Sequence, residues 1–143
     1  MVEQGGDITL YYNVLSQPSR SVKTIMNMGN INHSTVNIDI MKGEQRGEAF
    51  LKINPRGTIP YMVEGDWRLG ESTAILKYLC ETRSSIPSTL WPADLKERAY
   101  VDQLLEWCQC LLRTALLAPL RIKIRAMIEE KAPDSDVLAF VET

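Results

Sequence analysis

The sequence contains few of the residues that build metal centres and disulfide frameworks. Its 143 residues include one histidine and three cysteines, and an odd number of cysteines does not form a disulfide framework. Cys108 and Cys110 lie two apart in a helical pattern, where their side chains point in different directions, so buried helix packing is favoured over a zinc or redox role. The only histidine, His33, is expected in a turn, with no catalytic role. We therefore expect no metal.

The sequence also lacks a strong charge of either sign and a long apolar run. Its formal net charge is −2, and its short basic run, Arg121 to Arg125, is expected on the solvated side of a helix. We find no apolar N-terminal segment with a cleavage site and no stretch long enough to span a bilayer. These absences predict a cytoplasmic protein with no nucleic-acid partner and no membrane span. Its 45% hydrophobic content is ordinary for a soluble globular protein.

The stretch from Asn54 to Leu76 carries the strongest local signals. Two short strands are expected at Tyr61 to Val63 and Trp67 to Leu69, because Glu64-Gly65-Asp66 between them is good turn chemistry. A helix should start at Ser72, whose hydroxyl can cap the first free N–H groups. The stretch therefore predicts a hairpin followed directly by a helix.

The bond between Ile59 and Pro60 lies directly before the first strand of this hairpin. An X-Pro bond in that place favours a cis proline that turns the neighbouring backbone N–H and C=O groups outward. Together with the helix N-terminus at Ser72, this makes a backbone docking edge beside an anion-binding position. The combination suits a small peptide with a free carboxylate.

The remaining elements predict an α/β fold. In chain order they are a strand at Ile8 to Val14, a helix opened by Ser16-Gln17-Pro18 and ended by Met28-Gly29-Asn30, a strand at Ser34 to Ile40, a short helix at Glu48 to Ile53, the hairpin, and the helix from Ser72. Val36, Ile38 and Ile40 are expected on one face of the second strand. The resulting order, βαβαββα, is the thioredoxin-like arrangement with a mixed sheet and a right-handed crossover.

The chain beyond this domain predicts a linker and then helices. Prolines and serines over residues 85–93 do not sustain a helix, and Leu90-Trp91 is expected to anchor the linker to a neighbouring surface. A long amphipathic helix should follow Asp94 as its N-cap, with Glu97 three residues on, and should kink or end at Pro119. We therefore predict a thioredoxin-like domain at residues 1–84, a linker at 85–93 and an all-α domain at 94–143.

Several of these segments together resemble the glutathione S-transferases, and in particular their theta class. The segments are Leu10 to Arg20, Asp39 to Gln45, Thr58-Ile59-Pro60 and Glu71-Ser72, and the resemblance extends from about Ile8 to Arg113. It implies a domain that binds glutathione, followed by an all-helical domain of which residues 94–143 supply only the first helices. An incomplete second domain would expose apolar surface, so we expect a homodimer or another partner to cover it.

The resemblance implies a role for each residue at a matching position. Ser16 would donate a hydrogen bond to the glutathione thiolate, which lowers the pKa of the thiol, and the alternative is a helix N-cap only. Ile59 would bind through its backbone. Glu71 and Ser72 would hold the γ-glutamyl ammonium and carboxylate, with a helix cap and a solvated side chain as the alternative. The implied glutathione-binding residues are Gln17, Gln45, Thr58, Ile59, Pro60, Glu71 and Ser72.

Two positions depart from the theta pattern, and each loses a cationic side chain. The family has a histidine where this chain has Gln45 and a lysine where it has Thr58, which predicts weaker glutathione affinity. Lys42 and Arg56 can compensate, or can be ordinary surface charges. Arg113 is a candidate for the electrophile site, with packing or solvent exposure as the alternative.

The resemblance implies a glutathione transferase with glutathione as co-substrate. Such an enzyme conjugates the glutathione thiolate to small electrophilic compounds, halogenated ones among them. Ser16 and Ser19 stand where a thioredoxin has Cys-x-x-Cys, and two hydroxyls exclude dithiol chemistry at this site, so the sulfur has to come from a ligand. The alternative is a non-catalytic glutathione-binding or protein-interaction module with the long helix as its interface.

Overall fold

The structure is a computed structural model that describes residues 7–118. The chain divides into two units between Asp94 and Leu95, and each unit is described by itself below. No helix within residues 7–118 is both long and apolar enough to cross a membrane. The predicted kink at Pro119 and the basic run at Arg121 to Arg125 lie outside the described residues.

The first unit is built on a mixed sheet of four strands. β1 (Ile8–Tyr12), β2 (His33–Asn37), β3 (Tyr61–Glu64) and β4 (Trp67–Gly70) lie in the order β2-β1-β3-β4. β1 runs parallel to β2 and antiparallel to β3, and β4 runs antiparallel to β3. The predicted thioredoxin-like order and mixed sheet are confirmed.

Helices cover both faces of this sheet. α1 (Gln17–Met28) and α3 (Ser72–Thr82) pack on one face, and the short α2 (Glu48–Leu51) lies on the other, where the ring centroids of Phe50 and Tyr11 are 5.7 Å apart. Each long helix contributes apolar residues four positions apart, which places them in one stripe facing the sheet. The core cluster consists of Ile8, Leu10, Val22, Met26, Met62, Ile75, Leu79 and Ile86. Burying each large apolar side chain contributes about 1.5 to 3 kcal/mol, so this cluster holds the first unit together.

The second strand is shorter than its alternating pattern predicts. β2 ends at Asn37, and Val36 stays exposed because β2 is an edge strand with a neighbour on one side only. Ile38 is buried just beyond the strand, where its N–H donates to the carbonyl of Tyr12 over 2.9 Å. His33, expected in a turn, is the first residue of β2.

The two long helices of the first unit begin differently. Ser16 caps α1 as predicted, because its side chain accepts the N–H of Ser19. At α3 the predicted Ser72 cap is wrong: Ser72 is the first helical residue and Glu71 is the N-cap, with φ of 64°. β4 ends at Gly70, so one residue has to turn the chain from strand to helix, and Glu71 adopts this rare backbone conformation to do so.

Part of the predicted linker packs onto the first unit. Ile86 belongs to the core cluster, with 5% of its surface exposed. The indole N–H of Trp91 donates to Glu81 Oε1 over 2.9 Å, and Lys77 Nζ lies 5.6 Å from the centroid of the Trp91 ring. A short 3-10 helix, Ser88–Leu90, lies between these two anchors. Trp91 therefore anchors this segment to α3.

The second unit begins with a long helix. α4 (Leu95–Trp107) starts directly after Asp94, as expected for a helix with its N-cap at that residue. It continues as a π-helical segment at Cys108–Leu112 and is α-helical again over residues 113–118. No residue of α4 or of the π-helical segment is buried. Cys108 is half-buried and Cys110 is exposed, so the expected burial of this cysteine pair is wrong for Cys110.

Candidate functional site

The strand register gathers four loops at one end of the sheet. β1 and β2 both end there, because Tyr12 pairs with Asn37. β3 begins there and β4 ends there, because Tyr61 pairs with Tyr11 and with Gly70. The predicted site residues of the first unit all belong to the segments at these strand ends: Ser16, Gln17, Gln45, Thr58, Ile59, Pro60, Glu71 and Ser72.

Ser16 follows β1 and has its hydroxyl oxygen already in use as an acceptor. The N–H of Ser19 donates to Ser16 Oγ over 3.4 Å, and the Ser19 hydroxyl donates to the same oxygen over 2.9 Å. Ser19 is fully buried, whereas Ser16 is half-buried. Because Ser16 Oγ accepts these two donors, its own hydroxyl hydrogen is available to donate to a ligand. An anion at this position also gains from the N-terminus of α1.

Asn13 is a residue of this end that the sequence reasoning missed. It is buried, and its amide nitrogen donates to the carbonyl of Ile38 over 2.9 Å and to Asn37 Oδ1 over 3.2 Å. Its side-chain oxygen accepts the N–H of Leu15 over 2.9 Å. Asn13 thus joins the loops that follow β1 and β2. The available signal was an asparagine directly after an apolar strand, where side-chain to backbone bonds build turns.

Asn54 has a similar function in the loop before β3, and it was also missed. It is 2% exposed, and its amide nitrogen donates to the carbonyl of Thr58 over 2.7 Å. Its side-chain oxygen accepts the N–H of Arg56, and its carbonyl accepts the N–H of Gly57. A single buried amide therefore fixes the shape of the whole loop between α2 and β3.

The edge next to this loop carries an open pair of backbone groups. The bond between Ile59 and Pro60 is cis, which confirms the prediction. Pro60 is buried, Ile59 is half-buried and Thr58 is exposed. No hydrogen bond joins the N–H or C=O of Ile59 to another residue of the described chain. Such a pair can bind the backbone of an extended peptide, as a sheet edge does.

Gln45 lies in a short 3-10 helix, Glu44–Arg46, between β2 and α2. It is 6% exposed, and its Oε1 is enclosed without a hydrogen-bond partner in the part of the chain that the structure describes. A buried oxygen without a donor costs about 1 to 3 kcal/mol, so the Gln45 side chain is held here at an energetic cost. A Cβ added to Gly57 would lie 2.9 Å from the backbone carbonyl oxygen of Gln45. The loop after β2 and the loop before β3 are therefore in contact.

Glu71 and Ser72 lie where β4 passes into α3. Ser72 is 7% exposed, whereas Glu71 is exposed and forms an ion pair with Arg56, in which Arg56 Nη1 lies 3.3 Å from Glu71 Oε1. An ion pair therefore links the loop before β3 to the start of α3. The N-terminus of an 11-residue helix favours an anion at the same place.

Gln17, Lys42 and Arg113 each contact a residue three or four positions away in the sequence. Gln17 is exposed, and its amide nitrogen reaches Ser21 Oγ over 3.4 Å. Lys42 pairs with Asp39 over 3.3 Å. Arg113 lies in the second unit, where its guanidinium donates to Gln109 Oε1 over 3.0 Å. No cluster of three or more potential metal ligands occurs among residues 7–118.

A buried charged cluster lies at the opposite end of the sheet, since Glu64 pairs with Ile8. Glu64 is 8% exposed, accepts the hydroxyl of Tyr78 over 2.6 Å and forms an ion pair with Arg83. Burial raises the pKa of Tyr78 above its ordinary value, and the hydrogen bond to Glu64 raises it further. This cluster is therefore a structural element, separate from the four loops.

Comparison with known proteins gives the family of the chain. The family model described as "Glutathione S-transferase, N-terminal domain" matches residues 10–87. Glutathione S-transferase theta-1 of Mus musculus is 33% identical over 134 residues, which are 92% of this chain and 55% of that protein. The chain spans about half the length of the curated relatives it matches.

Solved structures agree with the sequence relatives. The apo form of human glutathione-S-transferase T1-1 has a TM-score of 0.71 and 37% identity, covering 74% of this chain and 44% of that one. Human glutathione transferase theta-2, in a complex with glutathione, has a TM-score of 0.67 and 36% identity, covering 71% of this chain and 42% of that one.

Proposed function

The chain belongs to the glutathione S-transferase family, and on that premise we propose that its first unit binds glutathione and that the protein transfers the glutathione thiolate to small electrophilic compounds. The relatives with the theta-class name, and the theta-2 structure that contains glutathione, support this proposal. The observation that carries it is the strand register, which gathers the four loops with the predicted binding residues at one end of the sheet.

Each part of glutathione has a proposed partner with suitable chemistry. The backbone N–H and C=O of Ile59 would pair with the cysteine backbone of glutathione, because they have no partner among the described residues. Ser72 and the N-terminus of α3 would take the γ-glutamyl carboxylate, and Glu71 the neighbouring ammonium. Thr58, Pro60 and Gln17 would line the same site.

Gln45 is the proposed partner for the glycine end of glutathione. Its side-chain amide nitrogen can donate to the glycine carboxylate. A neutral amide makes a weaker bond to a carboxylate than a cation does, so the affinity should be lower than with the histidine that Gln45 replaces.

Ser16 is the proposed catalytic residue. The Ser16 hydroxyl would donate a hydrogen bond to the glutathione sulfur. This bond favours the thiolate over the thiol and lowers the pKa of the bound thiol, whose proton is released to water. The thiolate then attacks an electrophilic carbon, a sulfur–carbon bond forms, and the leaving group departs with its electron pair. Halogenated compounds are the proposed subclass, with halide as leaving group, and the exposed side chains of Val14 and Leu15 beside Ser16 suit such apolar molecules.

A cytoplasmic homodimer is the proposed state of the protein. Its support is the set of exposed apolar side chains along α4, which include Leu95, Tyr100 and Leu104. Such side chains are often covered in an oligomer. Arg113, in the second unit, is the proposed contact for the leaving group of the electrophile.

Calorimetric titration with reduced glutathione tests the proposed function. Wild-type protein should bind saturably, and Ser72→Ala should weaken binding, whereas Ser85→Ala, at an exposed serine outside the four loops, should not. Ser16→Gly removes the hydroxyl but costs the helix cap only a few tenths of a kcal/mol, roughly, so it should retain binding and lose the ultraviolet signal of the bound thiolate. Absence of binding by a chain that circular dichroism shows to be folded would contradict the proposal.

A further inference from the structure

Arg56 and Glu71 present two opposite charges side by side at the end of the sheet that carries the four loops. Arg56 Nη1 lies 3.3 Å from Glu71 Oε1, and their side chains are 73% and 67% exposed. Within residues 7–118 neither side chain has another hydrogen-bond partner. Glu71 Oε2 and the remaining N–H groups of the Arg56 guanidinium are therefore open to a ligand.

Both charges stand on a fixed backbone. The N–H of Arg56 donates to Asn54 Oδ1 over 3.1 Å, and Asn54 itself is buried. Glu71 is the single residue between β4 and α3, and its carbonyl accepts the N–H of Ile75 over 3.0 Å. The backbone at both positions is therefore held in place without a ligand.

A free α-amino acid group carries an ammonium and a carboxylate on one carbon, which is the complement of this pair. We propose that the Arg56–Glu71 ion pair recognises such a zwitterion, with Glu71 binding the ammonium and Arg56 binding the carboxylate that also faces the start of α3. The γ-glutamyl end of glutathione is a zwitterion of this kind, so the inference rests on the proposed function and adds Arg56 to it. Arg56 then selects ligands with a free α-carboxylate beside the amine.

Replacing the Arg56–Glu71 contact by contacts with a ligand costs little free energy. An exposed ion pair contributes at most about 1 kcal/mol, so replacing it by two pairs with the ligand costs little. The guanidinium offers five donors in a planar fork, which allows it to bind a carboxylate while it stays next to Glu71. The opposite arrangement, in which Arg56 merely competes with the ligand ammonium for Glu71, would make removal of Arg56 tighten binding.

The test combines two variants with three ligands in calorimetric titrations of the full chain. The ligands are glutathione, its analogue without the α-carboxylate, γ-aminobutyryl-cysteinylglycine, and its analogue without the amine, glutaryl-cysteinylglycine. Arg56→Gln should lower the affinity for glutathione about two- to fivefold, as expected for an exposed charge pair. It should leave the affinity for the decarboxylated analogue unchanged. Glu71→Gln should lower the affinity for glutathione and leave the affinity for the deaminated analogue unchanged.

Two further variants control for charge. Arg56→Lys retains the positive charge and should lose less affinity than Arg56→Gln. Lys52→Gln removes an exposed cation paired with Glu48 and should leave every affinity unchanged. Tighter glutathione binding by Arg56→Gln, or equal losses with glutathione and its decarboxylated analogue, would overturn the inference. If wild-type protein binds no glutathione, the proposed function fails and the inference fails with it, whereas wild-type binding without an Arg56 effect overturns the inference alone.

Discussion

The Ser19 hydroxyl donates to Ser16 Oγ over 2.9 Å, from a fully buried position one helical turn further into α1. With Ser19 as the donor, Ser16 keeps its own hydrogen for another acceptor. Ser16 is the N-cap of α1 and Ser19 lies in the first turn of the helix, so the contact lies at the helix N-terminus. Under the proposed function, Ser19 is a positioning residue for the hydroxyl that meets the glutathione sulfur.

Ser19→Ala should impair catalysis while glutathione binding stays intact. Without the Ser19 donor, the Ser16 hydroxyl is free to turn toward other acceptors, so the pKa of the bound thiol should rise. One hydrogen bond contributes about 0.5 to 1.5 kcal/mol, which corresponds to a two- to tenfold loss of kcat/KM. The pH profile of the conjugation rate should shift to higher pH, with an unchanged glutathione Kd. An unshifted profile would show that the contact is only structural.

Gly57→Ala should destabilise the first unit more than Gly65→Ala does. Both glycines have positive φ, of 61° and 58°, so both substitutions strain the backbone. At Gly57 the new Cβ would also lie 2.9 Å from the carbonyl of Gln45, whereas at Gly65 nothing lies within 4 Å. Urea unfolding should give a loss of about 1 kcal/mol for Gly65→Ala and about 2 to 4 kcal/mol for Gly57→Ala. Equal losses of unfolding free energy in the two variants would mean that the loop containing Gln45 can shift to accommodate the new Cβ.

Arg83→Met should be strongly destabilising. It leaves the carboxylate of Glu64, whose side chain is 7% exposed, without its ion-pair partner. Breaking a buried pair by removing one partner costs about 3 to 5 kcal/mol. Lys52→Met, which breaks an exposed pair with Glu48, is the matched control and should cost at most about 0.5 kcal/mol. Denaturant titrations at neutral pH measure both values, and a loss under 1 kcal/mol for Arg83→Met, roughly, would contradict the buried-pair argument.

Tyr78→Phe should change how stability depends on alkaline pH. Burial and the Glu64 carboxylate raise the pKa of folded Tyr78 above the ordinary value of 10.0. The stability that this tyrosine contributes is therefore fully present below pH 10 and is lost as the pH rises through the folded pKa. At neutral pH the variant should be less stable by about 1 to 3 kcal/mol, because Glu64 loses a donor. Above pH 10 the difference in unfolding free energy between wild type and Tyr78→Phe should become smaller. Denaturant titrations across this pH range measure it, and a constant difference would contradict a raised pKa for Tyr78.

Local chemistry predicted several parts of the site correctly. The cap at Ser16, the hairpin turn at Gly65 and the cis bond before Pro60 each depend on residues adjacent in the sequence. The cap at Ser72 was predicted one residue away from its position, because the length of the turn between β4 and α3 is set by where the strand pairing stops. The same reason explains β2, whose alternating pattern continues beyond Asn37 although its pairing with β1 ends there.

The contacts between distant residues were beyond the sequence reasoning. The sequence left Arg56 as either a compensating cation for the glycine carboxylate or an ordinary surface charge. In the structure it pairs with Glu71, which lies 15 residues further along the chain. Asn13 and Asn37 are 24 residues apart and are bonded across the ends of two neighbouring strands. No periodicity in the sequence marks these asparagines, since their roles arise only when the loops meet.

Local sequence accounts for the order of the elements, the turn and cap chemistry and the family resemblance, because hydrophobic periodicity and residue-specific backbone preferences act over a few neighbouring positions. Contacts between distant segments set which charges meet, which amides are buried and which backbone groups stay open. Those outcomes depend on the strand order β2-β1-β3-β4 and its register, which bring segments from four parts of the chain to one end of the sheet. Register is set by the burial of the whole sheet face, and no single stretch of sequence encodes it.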